Sequence, residues 1–183
     1  MKFLSRLFMA TALLIAPAFA HAETPDAASF KTEIINNKGN VIGQAEFTQG
    51  TTGVLIEIKA SGLPAGKHGM HFHETGSCED IEHFKMSKKH IMPSGKPHGF
   101  LNPEGPHEGN LPNLIVHKDG SVHTELYSKM LSLVGKDNKP ALQDEDGSAL
   151  IVHINQDDHM SQPIGGSGAR IACGVITANK SKD

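Results

Sequence analysis

Between Phe30 and Lys59 apolar and polar residues alternate, and this alternation restricts the fold more than any other feature of the chain. Phe30, Thr32 and Ile34 alternate with Lys31 and Glu33. Val41, Gly43, Ala45 and Phe47 alternate with Gln44, Glu46 and Thr48, and Val54, Ile56 and Ile58 with Glu57 and Lys59. Successive side chains on a strand point to opposite faces, so a period of two describes half-buried antiparallel strands. Asn37-Lys38-Gly39-Asn40 and Gln49-Gly50-Thr51-Thr52-Gly53 supply the hairpin turns. Further strands are expected at 69–73, 113–117, 122–127, 149–154 and 170–177, eight in all, with no long helix and no internal repeat. The expected fold is all-β: an eight-stranded antiparallel flattened barrel or sandwich. Two segments escape the pattern, 74–112 and 155–169, both rich in Gly. Structureless stretches of such length inside a compact domain are usually functional.

Residues 1–22 are expected to be a secretory signal peptide. Lys2 and Arg6 precede an apolar run over 7–20, and Ala20-His21-Ala22 is a small-x-small cleavage site. The rest, 23–183, is expected to form one domain in the periplasm or an otherwise exported compartment. No other apolar run approaches the ~18 residues of a spanning helix, so no membrane association is expected after cleavage. Removing Lys2 and Arg6 shifts the net charge from -3 to about -5. With no basic stripe, no Trp and a single Tyr, nothing points to nucleic acid. An acidic chain repels anions overall, so any chemistry on an anion needs local positive charge. Composition leaves the oligomeric state open. Cys78 and Cys173 are the only cysteines. In an exported chain they read as one disulfide, with a pair of free thiols as the alternative.

Histidine is abundant, at twelve residues. His71 and His73 share one face of an expected strand, two imidazoles placed as a metal clip, though edge histidines facing solvent have the same spacing. His153 sits between Val152 and Ile154, where a histidine without a metal role is common. His90, His98 and His107 fall in the first long loop at intervals of eight and nine, and Asn110 follows three later. Loops can fold back to converge such groups, and imidazole suits both copper and zinc.

The segment His68-Gly69-Met70-His71-Phe72-His73-Glu74-Thr75-Gly76-Ser77-Cys78 resembles a signature of the copper/zinc superoxide dismutase family, bacterial periplasmic type. Gly165-Gly166-Ser167-Gly168-Ala169-Arg170-Ile171-Ala172-Cys173-Gly174-Val175-Ile176 resembles a second. The histidine spacing of the loop, and Leu150-Ile151-Val152-His153 followed by Asp157-Asp158, fit the same family. The resemblance covers essentially the whole chain beyond the leader and implies a Greek-key order of the strands. It implies copper on His71, His73, His90 and His153, and zinc on His90, His98, His107 and the residue at 110. His90 would bridge the two metals and take part in catalysis. Asp157 would orient one ligand of each metal, here His71 and His98. Arg170 would hold the incoming superoxide, and a Cys78–Cys173 bond would pin the loop to the last strand. The implied reaction is dismutation of superoxide to dioxygen and hydrogen peroxide by copper redox cycling. A copper-binding or copper-delivery protein on the same fold is the alternative.

The loop departs from the family pattern in three places. Asn110 replaces the zinc-ligand aspartate, Lys88-Lys89 replaces a pair of glycines before His90, and Met92-Pro93 replaces the usual Asn-Pro. A neutral amide is a poorer Zn2+ partner than a carboxylate, so zinc is expected to bind more weakly than copper. His68, His83, His117, His123 and His159 take no role in the resemblance, and Lys85, Lys88, Lys89 and Lys96 are candidates for longer-range attraction of the anion.

Overall fold

The computed structural model describes residues 27–178. The leader read in residues 1–22 lies outside them. Nine strands follow in order: β1 (Ser29–Asn36), β2 (Val41–Gln49), β3 (Val54–Ala60), β4 (Gly66–His68), β5 (Met70–His73), β6 (Leu114–Val116), β7 (Val122–Ser128), β8 (Ser148–His153) and β9 (Arg170–Ile176). The only helices among the described residues are two 3-10 turns of three residues each.

The first three strands form a meander through the turns the sequence marks, with Ile56 opposite Phe47 and Phe47 opposite Phe30. The chain then crosses to the far edge of the sheet. The order of the seven-stranded sheet is β5-β8-β9-β1-β2-β3-β7, and β4 pairs separately with β6. This all-antiparallel Greek-key arrangement curls around one core of Ala45, Phe47, Ile56, Ile58, Phe72, Leu150 and their neighbours.

The strand expected at 69–73 is one of two pieces, because the chain breaks at Gly69 between β4 and β5. There Gly69 N bonds to Asn155 O, and a Cβ would lie 2.2 Å from Ser167 Oγ. The second long loop presses on the strand at this point and only glycine leaves it room. Strand β8 is buried along its whole length. Leu150 and Val152 enter the main core, whereas Ala149 and Ile151 join a smaller cluster with Cys78, Phe84 and Cys173. His153 continues that second face, and the site is built there.

Candidate metal centre

His71 and His73 lie opposite Ile151 and Ala149. Cross-strand partners share a face, so these two rings stand beside His153 on the outside of the sheet. The loop after β5 covers them by pairing with the free edge of that strand. Phe72 N donates to Gly109 O at 2.9 Å, Ile91 N to Phe72 O at 2.9 Å and Glu74 N to Lys89 O at 2.9 Å. A Cβ on Gly109 would lie 2.6 Å from Phe72 O, so glycine permits this approach. The pairing sets His90 against His73 and Asn110 against His71. The result is a cluster of nearly buried rings: His71 and His73 are 0% exposed, His98 and His107 1%, His153 2% and His90 4%.

Three donor groups converge with their ligating atoms within 4.8 Å of one another: His71, His73, His90 and His153; His90, His98 and His107; and His71, His98 and Asp157. In the first group one nitrogen of each ring is buried without a partner: His71 Nδ1, His73 Nε2, His90 Nε2 and His153 Nε2. The opposite nitrogens are engaged. His71 Nε2 bonds Asp157 Oδ2 at 2.8 Å, His73 Nδ1 bonds Lys88 O at 2.9 Å and His153 Nδ1 bonds Gly168 O at 2.9 Å. Carboxylate and carbonyl oxygens only accept, so in these three rings the hydrogen sits on the far nitrogen and the lone pair faces the group's centre. His90 Nδ1 lies 3.1 Å from His107 Nε2. Four convergent imidazole nitrogens without partners are a donor set that suits copper.

The electrostatics favour the neutral rings that a metal requires. Burial, helped by the charge of Arg170, holds His73 well below the ordinary histidine range. Burial also pushes His153 down to about 3 and His107 down to about 4. Burial alone would raise the Asp157 carboxyl, but hydrogen bonds from His71, His98 and the backbone N–H of His159 outweigh it and keep the group ionised. Asp157 Oδ1 receives His98 Nε2 at 3.0 Å, so one carboxylate orients rings from two of the donor groups.

Beside the rings opens a cavity of about 380 Å³, lined by His73, His90 and His153 and by Lys85, Lys88, Lys89 and Arg170. Among the described residues no carboxylate lines it, and Lys96 does not border it. Arg170 is fixed by Phe84 O at 2.5 Å, Ser87 Oγ at 3.0 Å and Lys88 O at 2.6 Å. The Cys78–Cys173 disulfide, with a Cα–Cα distance of 6.0 Å, ties the start of the loop to the strand that carries Arg170.

A sequence profile described as copper/zinc superoxide dismutase (SODC) matches residues 41–176. A Cu-Zn superoxide dismutase of Aquifex aeolicus is 42% identical over 96% of this chain and 99% of its own. One of Caulobacter vibrioides is 45% identical over 75% of this chain and 79% of its own. Among solved structures, a SOD-like protein from Bacillus subtilis is 38% identical with a TM-score of 0.76, covering 81% of this chain and 99% of that one. The chain belongs to the copper/zinc superoxide dismutase family. Copper and zinc are this family's metals, and the first donor group fits copper directly. The second group, His90, His98 and His107, also converges, but of the nitrogens in it that do not belong to the first group only His107 Nδ1 lacks a partner.

Several residues that support this candidate centre were not legible as such in the sequence. Asn113 clamps the backbone of Asp157: its Oδ1 accepts from Asp157 N at 2.8 Å and its Nδ2 donates to Asp157 O at 2.9 Å. His159 N donates to Asp157 Oδ1 at 2.7 Å. His68 is buried, with its ring nitrogens 2.8 Å from His153 O and 2.8 Å from Pro64 O, so it supports the strand bearing His153. No local pattern announces these roles, because each depends on a partner far along the chain. His83, His117 and His123 are exposed.

Proposed function

We propose that this chain dismutes superoxide, converting two superoxide anions and two protons into dioxygen and hydrogen peroxide, with copper held by His71, His73, His90 and His153. The observation that carries this reading is the convergence of four unpartnered imidazole nitrogens beside a cavity lined by four cationic side chains and, among the described residues, no carboxylate. Bound copper supplies a one-electron acceptor in its cupric state and a one-electron donor in its cuprous state. The chain supplies the rest. Arg170 and the lysines give an acidic protein a local positive field that draws a small anion into the cavity. Three fixed acceptors keep the guanidinium from swinging away, so its charge is in place before substrate arrives. His90 is held far below the ordinary histidine range by burial, then by the neighbouring rings. The ring is therefore neutral and keeps a lone pair for a metal.

A copper-delivery protein needs an exchangeable ligand set but no cation-lined cavity, and the Arg170 anchoring favours the enzyme. The disulfide supports placement outside the reducing cytosol, in the periplasm or another exported compartment, after loss of residues 1–22. The test is copper reconstitution followed by pulse radiolysis, with superoxide consumption expressed per bound copper. Wild type is expected to turn over catalytically and His153→Ala to lose copper and activity together. Copper-loaded wild type that consumes superoxide no faster than free solution would overturn the reading.

A further inference from the structure

The second donor group is occupied by hydrogen bonds of its own. Asn110 is 2% exposed and sits among His98, His107 and Gly99. Its Oδ1 lies 3.3 Å from Gly99 N and 3.2 Å from His107 N. Both are backbone N–H donors, so the carbonyl end of the amide must face them. The NH2 end is thereby turned to His98 Nδ1, 3.0 Å away. His98 meets it in the matching tautomer: its Nε2 faces Asp157 Oδ1, which can only accept, so Nε2 carries the hydrogen and Nδ1 the lone pair. Each of these bonds from Asp157 to Gly99 thus joins a donor to an acceptor.

We propose that this hydrogen-bonded closure replaces the second metal, so that the centre matures and works with copper alone. A carboxylate at position 110 would accept from the same two N–H groups with one oxygen. Its other oxygen would then face the His98 lone pair, an arrangement that requires a cation between them. The amide puts a donor there instead and needs none. To offer its oxygen to a metal, Asn110 would have to turn over. That breaks the bond to His98 and sets the NH2 against two backbone donors, leaving buried donors unsatisfied. The pairing of His107 Nε2 with His90 Nδ1 at 3.1 Å would be lost as well. His107 Nε2 thus lies in contact with the far nitrogen of a copper ligand. The inference rests on His71, His73, His90 and His153 as the copper ligands.

The experiment is a metal competition on the full mature protein, with wild type and Asn110→Asp compared against one chromophoric chelator. Co2+ serves as an optical probe of tetrahedral coordination. Wild type is expected to hold one copper per chain and to bind zinc roughly 100-fold more weakly than Asn110→Asp, since even an outer partner of a metal ligand is worth ~10–100-fold. Copper-loaded wild type should show no tetrahedral Co2+ absorption at one equivalent, whereas Asn110→Asp should. Zinc affinities equal within about threefold, or one tightly held zinc in wild type, would overturn the inference while leaving the copper reading intact. A wild type that binds no copper would instead overturn the functional proposal and this inference with it. Should Asn110→Asp fold poorly, wild type decides by itself. Its Asn110 side-chain amide protons should stay protected from exchange when zinc is added, and their release on zinc addition would count against the closure.

Discussion

Arg170 and Lys88 meet through a main-chain oxygen: Arg170 Nη2 donates to Lys88 O at 2.6 Å, and the same oxygen accepts His73 Nδ1 at 2.9 Å. One carbonyl therefore positions both the cation of the cavity and a ring of the metal centre. Replacing Arg170 with Ala should lower kcat/KM about 10- to 100-fold, and Arg170→Glu should lower it further, because attraction of a small anion depends on local charge. Copper should remain bound, since His73 keeps its own bond to Lys88 O. The rate of wild type should also fall as salt is raised. Pulse radiolysis across ionic strength checks this, and an unchanged rate in Arg170→Glu would place the chemistry elsewhere.

Lys88 occupies a backbone conformation that its side chain does not favour, with φ 63° and ψ -140°. Such geometry is nearly restricted to glycine and costs a residue with a Cβ on the order of 1–3 kcal/mol. Lys88→Gly should therefore raise the Tm of the protein. It should also reduce the salt sensitivity of the reaction, because one of the cations lining the cavity is gone. Calorimetry and rates at two ionic strengths read the two effects separately. A lower Tm in Lys88→Gly would mean that contacts of the lysine stem outweigh the strain.

The disulfide closes a separation of 95 residues. The chain-entropy account assigns a loop of that size about 4–5 kcal/mol, an upper figure. Cys78→Ser with Cys173→Ser should therefore cost about 2–5 kcal/mol in chemical denaturation. Because Cys78, Phe84 and Cys173 pack in one small cluster, and Phe84 O holds Arg170, activity per bound copper should fall as well. A double variant with native stability and full activity would show that packing alone fixes the loop.

The strands were legible because alternation survives in β1, β2, β3 and β7, where one face is buried and the other wet. It placed β5 but missed β4, from which the break at Gly69 separates it; that break is imposed by Ser167, nearly a hundred residues away in the chain. The i, i+2 spacing of His71 and His73 announced a shared face, but His153 read as ordinary until β8 was placed beside β5. The parts beyond reach were those made by folding itself. The direction of the Asn110 amide is set by Gly99 and His107, and the clamp of Asn113 on Asp157 spans 44 residues.

Acid should weaken the metal-free protein. His153 and His107 titrate at about 3 and about 4 in the fold, below the 6.5 of an ordinary histidine. Between those values the unfolded chain binds protons that the folded chain does not, so stability rises with pH across that window and is lost on acidification. Asp157, also held low, adds stability above the ordinary carboxylate value of 3.8 that disappears below it. The Tm of chelator-stripped protein should climb from pH 4 to pH 7 and level off above. A Tm that is flat or maximal near pH 5 would contradict neutral rings in the folded state.

Asp157→Asn removes a charge without changing shape, and its consequence follows from hydrogen positions. Asp157 is 0% exposed and accepts from His71 Nε2 at 2.8 Å and His98 Nε2 at 3.0 Å. Both bonds need an acceptor, and an amide offers one oxygen and one donor. One of the two rings must therefore meet an NH2 group, and can do so only by moving its own hydrogen to Nδ1. In His71 that hydrogen would point into the copper position, where Nδ1 now presents a lone pair. In His98 it would oppose the Asn110 NH2 instead. Either change disturbs the centre, and copper affinity should fall about 10- to 100-fold, the usual effect of losing a partner behind a metal ligand. Asp157→Glu keeps the charge and both acceptors and should lose less. Chelator competition for copper across the three proteins gives the ranking, and the electron paramagnetic resonance spectrum of the cupric form reports the change in ligand field directly. If Asp157→Asn holds copper as tightly as wild type with the same spectrum, His71 is not oriented by this carboxylate.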